Sequence, residues 1–155
     1  MKKILLGCLL ALTIVACKKS ADAEPEAGAT VAGSYQMTLF GLDNGDGKGY
    51  SESPLPITTG PITGSGTITT VRKDASSIDL SAKLAITQNG STSLIIYPAT
   101  STSVPVTLQK SGSSYDMMSN GTKIGTADGS TISIDITSPA SGTLKSQRVV
   151  FKGKK

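Results

Sequence analysis

From residue 77 to 87 the chain alternates: Ile78, Leu80, Ala82, Leu84 and Ile86 share one parity, and Asp79, Ser81, Lys83, Ala85 and Thr87 share the other. Successive side chains of an extended strand point to opposite faces, so this segment reads as a strand with one face buried and one in water. The same period of two returns in Val104, Val106 and Leu108, and in Ile132, Ile134 and Ile136 with Ser133 and Asp135 between them. Further candidate strands are 34–42, 66–73, 93–97, 113–118, 122–127 and 143–152, and no segment after residue 17 sustains a helical period.

Turn signals separate these runs. Asn89-Gly90, Asn120-Gly121 and Asp128-Gly129 are dipeptides that supply the positive φ of type I′ hairpins. Strands joined by tight turns are antiparallel neighbours, so the expected fold is all-β, an up-and-down antiparallel meander of eight or nine strands. Such a meander must hide its edges by closing into a barrel or splitting into a β-sandwich. Closure is the expectation, because a Greek-key sandwich needs long crossovers and the one long connection is 43–65. That connection is rich in Gly and Pro and is expected to be irregular.

The N-terminus carries a different signal. Lys2-Lys3 precede an apolar run, residues 4–16, of about 13 residues, too short to span a bilayer and typical of a signal peptide. Ile14-Val15-Ala16 followed by Cys17 resembles the lipobox of bacterial lipoproteins, in which the Cys becomes the first mature residue and is acylated. Cys8, behind Leu5-Leu6-Gly7, is the rival position, but cleavage there would leave almost no apolar run. The resemblance implies attachment to membrane lipid through Cys17 and, because Lys18 stands where an aspartate often retains lipoproteins in the inner membrane, the outer membrane, on its periplasmic face or at the cell surface. The Cys-Lys-Lys start with Asp22 and Glu24 is similar to lipoproteins of Bacteroidota. Residues 17–32, poor in large apolar side chains, are expected to be a tether, and 33–155 a single domain.

Composition narrows the chemistry. The 155 residues include no His, which removes Ser-His-Asp hydrolysis, imidazole acid/base catalysis and His-ligated metals. Loss of residues 1–16 and acylation of Cys17 would leave no thiol, and 13 basic against 11 acidic side chains, a net charge of +2. Scattered basic residues and only six aromatics argue against nucleic acid as a partner, and the terminal Lys152-Gly153-Lys154-Lys155 reads as a solvated end.

Gly33-Ser34-Tyr35 at the first strand, a long first loop, a run of hairpins and Arg148 in the last strand resemble the lipocalin and wider calycin plan. That family has Trp where Tyr35 stands. The resemblance implies that Arg148 packs across the ring of Tyr35 and closes the barrel base by a cation–π contact. It also implies a lumen for a small apolar ligand, lined by Leu39, Ile78, Leu80, Leu84, Ile86, Val106, Ile132 and Ile134. On that expectation Leu84→Arg would empty the lumen and leave the fold at least partly intact.

Other candidate sites are weaker. Asp43, Asp46, Tyr50 and Glu52 sit in the long connection and are expected to form a lid at the barrel mouth; the oxygens lack the spacing of a calcium loop, so no metal site is expected. Gly45, Gly47 and Gly49 are followed by no helix that could complete a phosphate cradle. Asp79 and Asp135 could pair as hydrolytic carboxylates, but no Trp is present to stack a sugar. Met117-Met118 reads as one inward and one outward side chain. Ser111-Gly112-Ser113-Ser114-Tyr115 is similar to a stretch in lysozyme-inhibitor lipoproteins, which implies the alternative of an interaction module acting through its loops around a packed interior. No catalytic residue and no cofactor are expected.

Overall fold

The computed structural model describes residues 26–140 and 145–155; Cys17, Cys8 and the signal segment lie outside them. Among these described residues eleven strands follow a short helix. They are α1 (Ala27–Val31), β1 (Gly33–Asp43), β2 (Ser51–Pro54), β3 (Ile57–Thr59), β4 (Ile62–Arg72), β5 (Ser77–Gln88), β6 (Ser91–Tyr97), β7 (Val104–Ser111), β8 (Ser114–Ser119), β9 (Thr122–Ala127), β10 (Thr131–Ser138) and β11 (Gln147–Lys154).

Eight of these strands, β1, β4, β5 and β7 to β11, close an antiparallel barrel. Closure rests on β1, which pairs with β4 from Gly33↔Thr70 to Gln36↔Thr67 and with β11 from Gln36↔Lys154 to Asp43↔Arg148. All nine expected strands are present. The connection 43–65, expected to be irregular, instead contributes β2, β3 and the start of β4.

The barrel is tight at one end and flared at the other. Near the flared end β1 leaves β4 and pairs with β2, while β4 pairs with β3. On the far side β5 pairs with β7 only from Ser77 to Leu80, and its edge from Ala82 to Gln88 is taken by β6. Hairpins therefore do not join nearest neighbours throughout, because two inserts widen the wall. The rings of Tyr97 on β6 and Phe151 on β11 stand 6.3 Å apart across the flare, and Phe40 meets Phe151 at 5.6 Å.

The tight end is stoppered by α1, which corrects the tether expectation from Glu26 onward. Val31 is fully buried, and its carbonyl accepts hydrogen bonds from the hydroxyls of Tyr35 (2.6 Å) and Thr70 (2.8 Å). Gly28 donates to Ala75 at 2.9 Å, and a Cβ there would collide with the carbonyl of Asp74, so the low side-chain bulk that resembled a tether permits close docking. Glu26 pairs with Arg72 at the rim.

Turn chemistry follows expectation at two hairpins and departs at the third. Asn89 and Asn120 both have φ of 49°, followed by Gly90 and Gly121 at 80° and 77°. Asp128 instead uses its carboxylate, accepting from the backbone of Ser130 (2.8 Å) and Thr131 (2.6 Å) and from the Thr131 hydroxyl (2.8 Å). These bonds, led by the Thr131 amide, hold its pKa below the ordinary carboxyl value. The ionised form thus stabilises the fold above the unfolded carboxyl pKa, and that contribution fades as pH falls through the depressed folded value. Because the group is exposed, Asp128→Ala is expected to cost about 1 kcal/mol near neutrality. In thermal melts the gap to wild type should narrow as pH falls through and below the ordinary carboxyl range; a gap that does not narrow with acid would contradict this role.

Candidate functional site

At the tight end, Tyr35 is fully buried, and burial pushes its hydroxyl pKa up to about 12, so it stays a neutral donor to Val31. The cation over its ring is Lys155, whose Nζ lies 4.9 Å from the centroid and donates to the carbonyls of Ala32 (2.9 Å) and Thr30 (3.2 Å). The expected Tyr35–Arg148 contact does not form. Register explains it: Arg148 pairs with Asp43 at the flared end, whereas the last residues of β11 reach the strand start that carries Tyr35. The terminal lysines are thus partly structural, with Lys155 placed at the junction of helix and ring.

Above Tyr35 the lumen is filled. Tyr35, Ile68, Ile78, Leu80, Leu84, Met117 and Ile134 each expose 0 % of their surface, and Phe151 and Val106 expose 1 %. A hollow wide enough for a water molecule would leave its walls accessible, so these zeros mean side chain against side chain. Inward glycines complete the fit: a Cβ on Gly66 would collide with Sδ of Met37, and one on Gly153 would come within 3.0 Å of Tyr35 Cβ. Of the expected lining residues, Ile78, Leu80, Leu84, Val106, Ile132 and Ile134 are buried core, and Ile86 packs partly buried at the flare. Leu39 is a correction. A bulge between Met37 and Leu39 resets the alternation, so Phe40 turns inward and Leu39 falls on the outer parity. Met117 points in and Met118 is only half buried, as expected.

Arg148 instead organises the outer wall. Its Nε and Nη2 donate to the two carboxylate oxygens of Asp135 at 2.9 and 2.5 Å, and its guanidinium lies 4.7 Å from the ring centroid of Tyr50. Tyr50 Oη donates to Glu52 at 2.7 Å, and the ring lies across Gly41, where a Cβ would collide with it. The ladder rows Glu52, Gly41, Val150 and Asp135 side by side on β2, β1, β11 and β10. Val150, on the outward parity, is consequently buried to 3 % exposure. The Arg148 hydrogen bonds lower the Asp135 pKa, while desolvation and the Glu52 bond raise Tyr50 to about 12. Both groups are held in their ordinary neutral-pH states, which is the electrostatics of a clamp. Tyr50 and Glu52 therefore do not form a lid over the mouth.

The remaining expected sites are also absorbed by structure. Asp43 and Asp46 accept backbone amides of Gly45 (2.8 Å) and Lys48 (2.9 Å) in local turns. Asp79 faces Lys73 at 3.7 Å while Asp135 is held by Arg148, so the two carboxylates serve separate ion pairs. Ser111 to Tyr115 is the β7–β8 hairpin, with Tyr115 in the core. Among the described residues no cluster of three or more acidic, Cys or His side chains could hold a metal.

One surface was not anticipated, although its signal is in the sequence: residues 84–109 contain no charged side chain. This stretch supplies the end of β5, all of β6 and most of β7. Outward rows cross the sheet β3–β4–β5–β6. The first is Thr58, Thr63, Thr87 and Thr92, with 2.8 Å between the hydroxyls of Thr87 and Thr92; the next are Ser65, Ala85, Leu94 and then Thr67, Lys83, Ile96. A groove of about 270 Å³ follows the first two rows, lined by Thr58, Thr63, Ser65, Ala85 and Thr87 among others. Leu94 and Ile96 are each 52 % exposed. Among the described residues β6 pairs with β5 alone, so its second edge is open.

No family model matches the sequence, and neither a curated protein nor a solved structure matches it.

Proposed function

We propose that this closed eight-stranded barrel is a lipid-anchored, non-enzymatic module of the bacterial cell envelope, held at the outer membrane through Cys17, that works through its outer surface and not by carrying a ligand inside. The lipobox-like Ile14-Val15-Ala16-Cys17 supports the anchor, and the absence of His from the chain supports a non-catalytic role. The observation that carries the reading is the interior: seven core side chains spanning the lumen with no exposed surface leave a small apolar molecule no volume to occupy. The outer face of β3–β4–β5–β6, without charge in its first two rows, is the surface best suited to a partner, since Leu94 and Ile96 are already half exposed.

Native mass spectrometry of residues 20–155, purified without delipidation, tests the point. The expected spectrum contains the polypeptide mass without adduct. A stoichiometric lipid-like adduct would overturn the filled-barrel reading and restore the carrier expectation.

A further inference from the structure

We infer that the open edge of β6 is the pairing edge for a second copy of this chain, joined in antiparallel register about a two-fold axis near Leu94. The inference rests on the reading that the outer surface is the working surface, and it names the partner of that surface.

An open sheet edge presents unpaired N–H and C=O groups, and proteins ordinarily blunt it with lysine, proline, a bulge or extreme shortness. β6 has none of these devices. Its seven residues, Ser-Thr-Ser-Leu-Ile-Ile-Tyr, run in unbroken register with β5 from Ala82↔Tyr97 to Gln88↔Ser91. The outer face adds Leu94 and Ile96, each half exposed.

Charge selects a second copy as the occupant. Without residues 1–16 the chain carries 13 basic against 11 acidic side chains, a slight positive excess that gives the charged surfaces of two copies no net attraction for each other. The uncharged stretch 84–109 is where copy can meet copy without opposed charges. With Leu94 opposite its own counterpart, Thr92 and Ile96 of one copy would face Ile96 and Thr92 of the other, an apolar strip across the joint. Lys83, beside Ile96 on the adjacent strand, is the nearest cation on that face. In this register the two Lys83 positions lie about 20 Å apart, three strand spacings across and four residues along, well beyond the Debye length at physiological salt. The joined sheet would run through eight strands, β3 to β6 of each copy, with self-complementary edges as a two-fold interface requires.

The test is sedimentation of the full chain in density-matched detergent, combined with amide exchange at residues 91–97. The expected result is a concentration-dependent dimer with protected β6 amides. Leu94→Lys, at an exposed position that spares the core, should weaken association at least about tenfold and release that protection, with an unchanged circular dichroism spectrum. A wild-type chain that stays monomeric up to about 100 µM overturns the inference, as does a dimer that survives Leu94→Lys or leaves β6 amides unprotected. Each of these outcomes leaves the filled-barrel reading standing, since that reading fails to a ligand or to spare room in the lumen and not to the state of the β6 edge.

Discussion

Leu84→Arg is expected to unfold the barrel. Leu84 has no exposed surface and sits in the ladder between Gly66 on β4 and Ile95 on β6, in the region where the wall begins to flare. Losing a buried leucine costs about 2–5 kcal/mol, and an unpaired buried guanidinium adds several more. A domain of this size has about 5–15 kcal/mol in total. The measurement is urea unfolding followed by far-ultraviolet circular dichroism; the variant should lack a cooperative transition or show a midpoint displaced far toward zero urea. The lipocalin-like expectation differs: there arginine empties the lumen of ligand and leaves the fold at least partly intact. A variant with a near wild-type midpoint would mean that the lumen has room, and would undo the filled-barrel reading.

Cys17→Ala is expected to move essentially all of the protein from the membrane fraction to the soluble fraction. Two or three acyl chains, at about 0.8 kcal/mol for each buried methylene, make attachment effectively permanent, whereas residues 18–32 offer no comparable apolar surface. Cell fractionation with acyl labelling provides the readout. Loss of label together with release is the expected outcome. Continued labelling would place the acylated residue at Cys8, and membrane retention without label would remove the lipid anchor from the proposal.

The strands were legible because period-two alternation depends on local parity alone. Ile78 to Leu84, and Ile132 with Ile134, needed no knowledge of their neighbours to be placed inside. What depends on register was not legible. The bulge before Leu39 inverts the parity of the second half of β1, and nothing between Met37 and Phe40 announces it. The cation over Tyr35, expected within the final strand, is instead Lys155, just past the end of β11 and seven positions beyond Arg148, because barrel closure decides which end of β11 meets the start of β1. The helix was missed for a thermodynamic reason: Ala27–Val31 carries one large apolar side chain, too little to order a free segment, yet enough once the barrel supplies a matching socket. The uncharged stretch 84–109 could have been counted from the sequence, whereas the open edge of β6 follows only from the pairing.

The double role of β1 also sets an order of events. β1 is the first strand to be made, and it hydrogen-bonds to β11, the last; Gln36 has Thr67 on one side and Lys154 on the other. A chain emerging from a ribosome or a translocation pore can assemble β4 against β5 and hairpins such as β8–β9 as they appear, but the ring stays unsealed until β11 is free. Among the described strand pairs, joining β1 to β11 closes the longest loop, so sealing should be the slow step of folding. Until that moment α1 has a socket with one wall missing, since Lys155, just past β11, donates to the carbonyls of Thr30 and Ala32 that end it. On this topology β1, placed early, waits for β11 before the ring can hold.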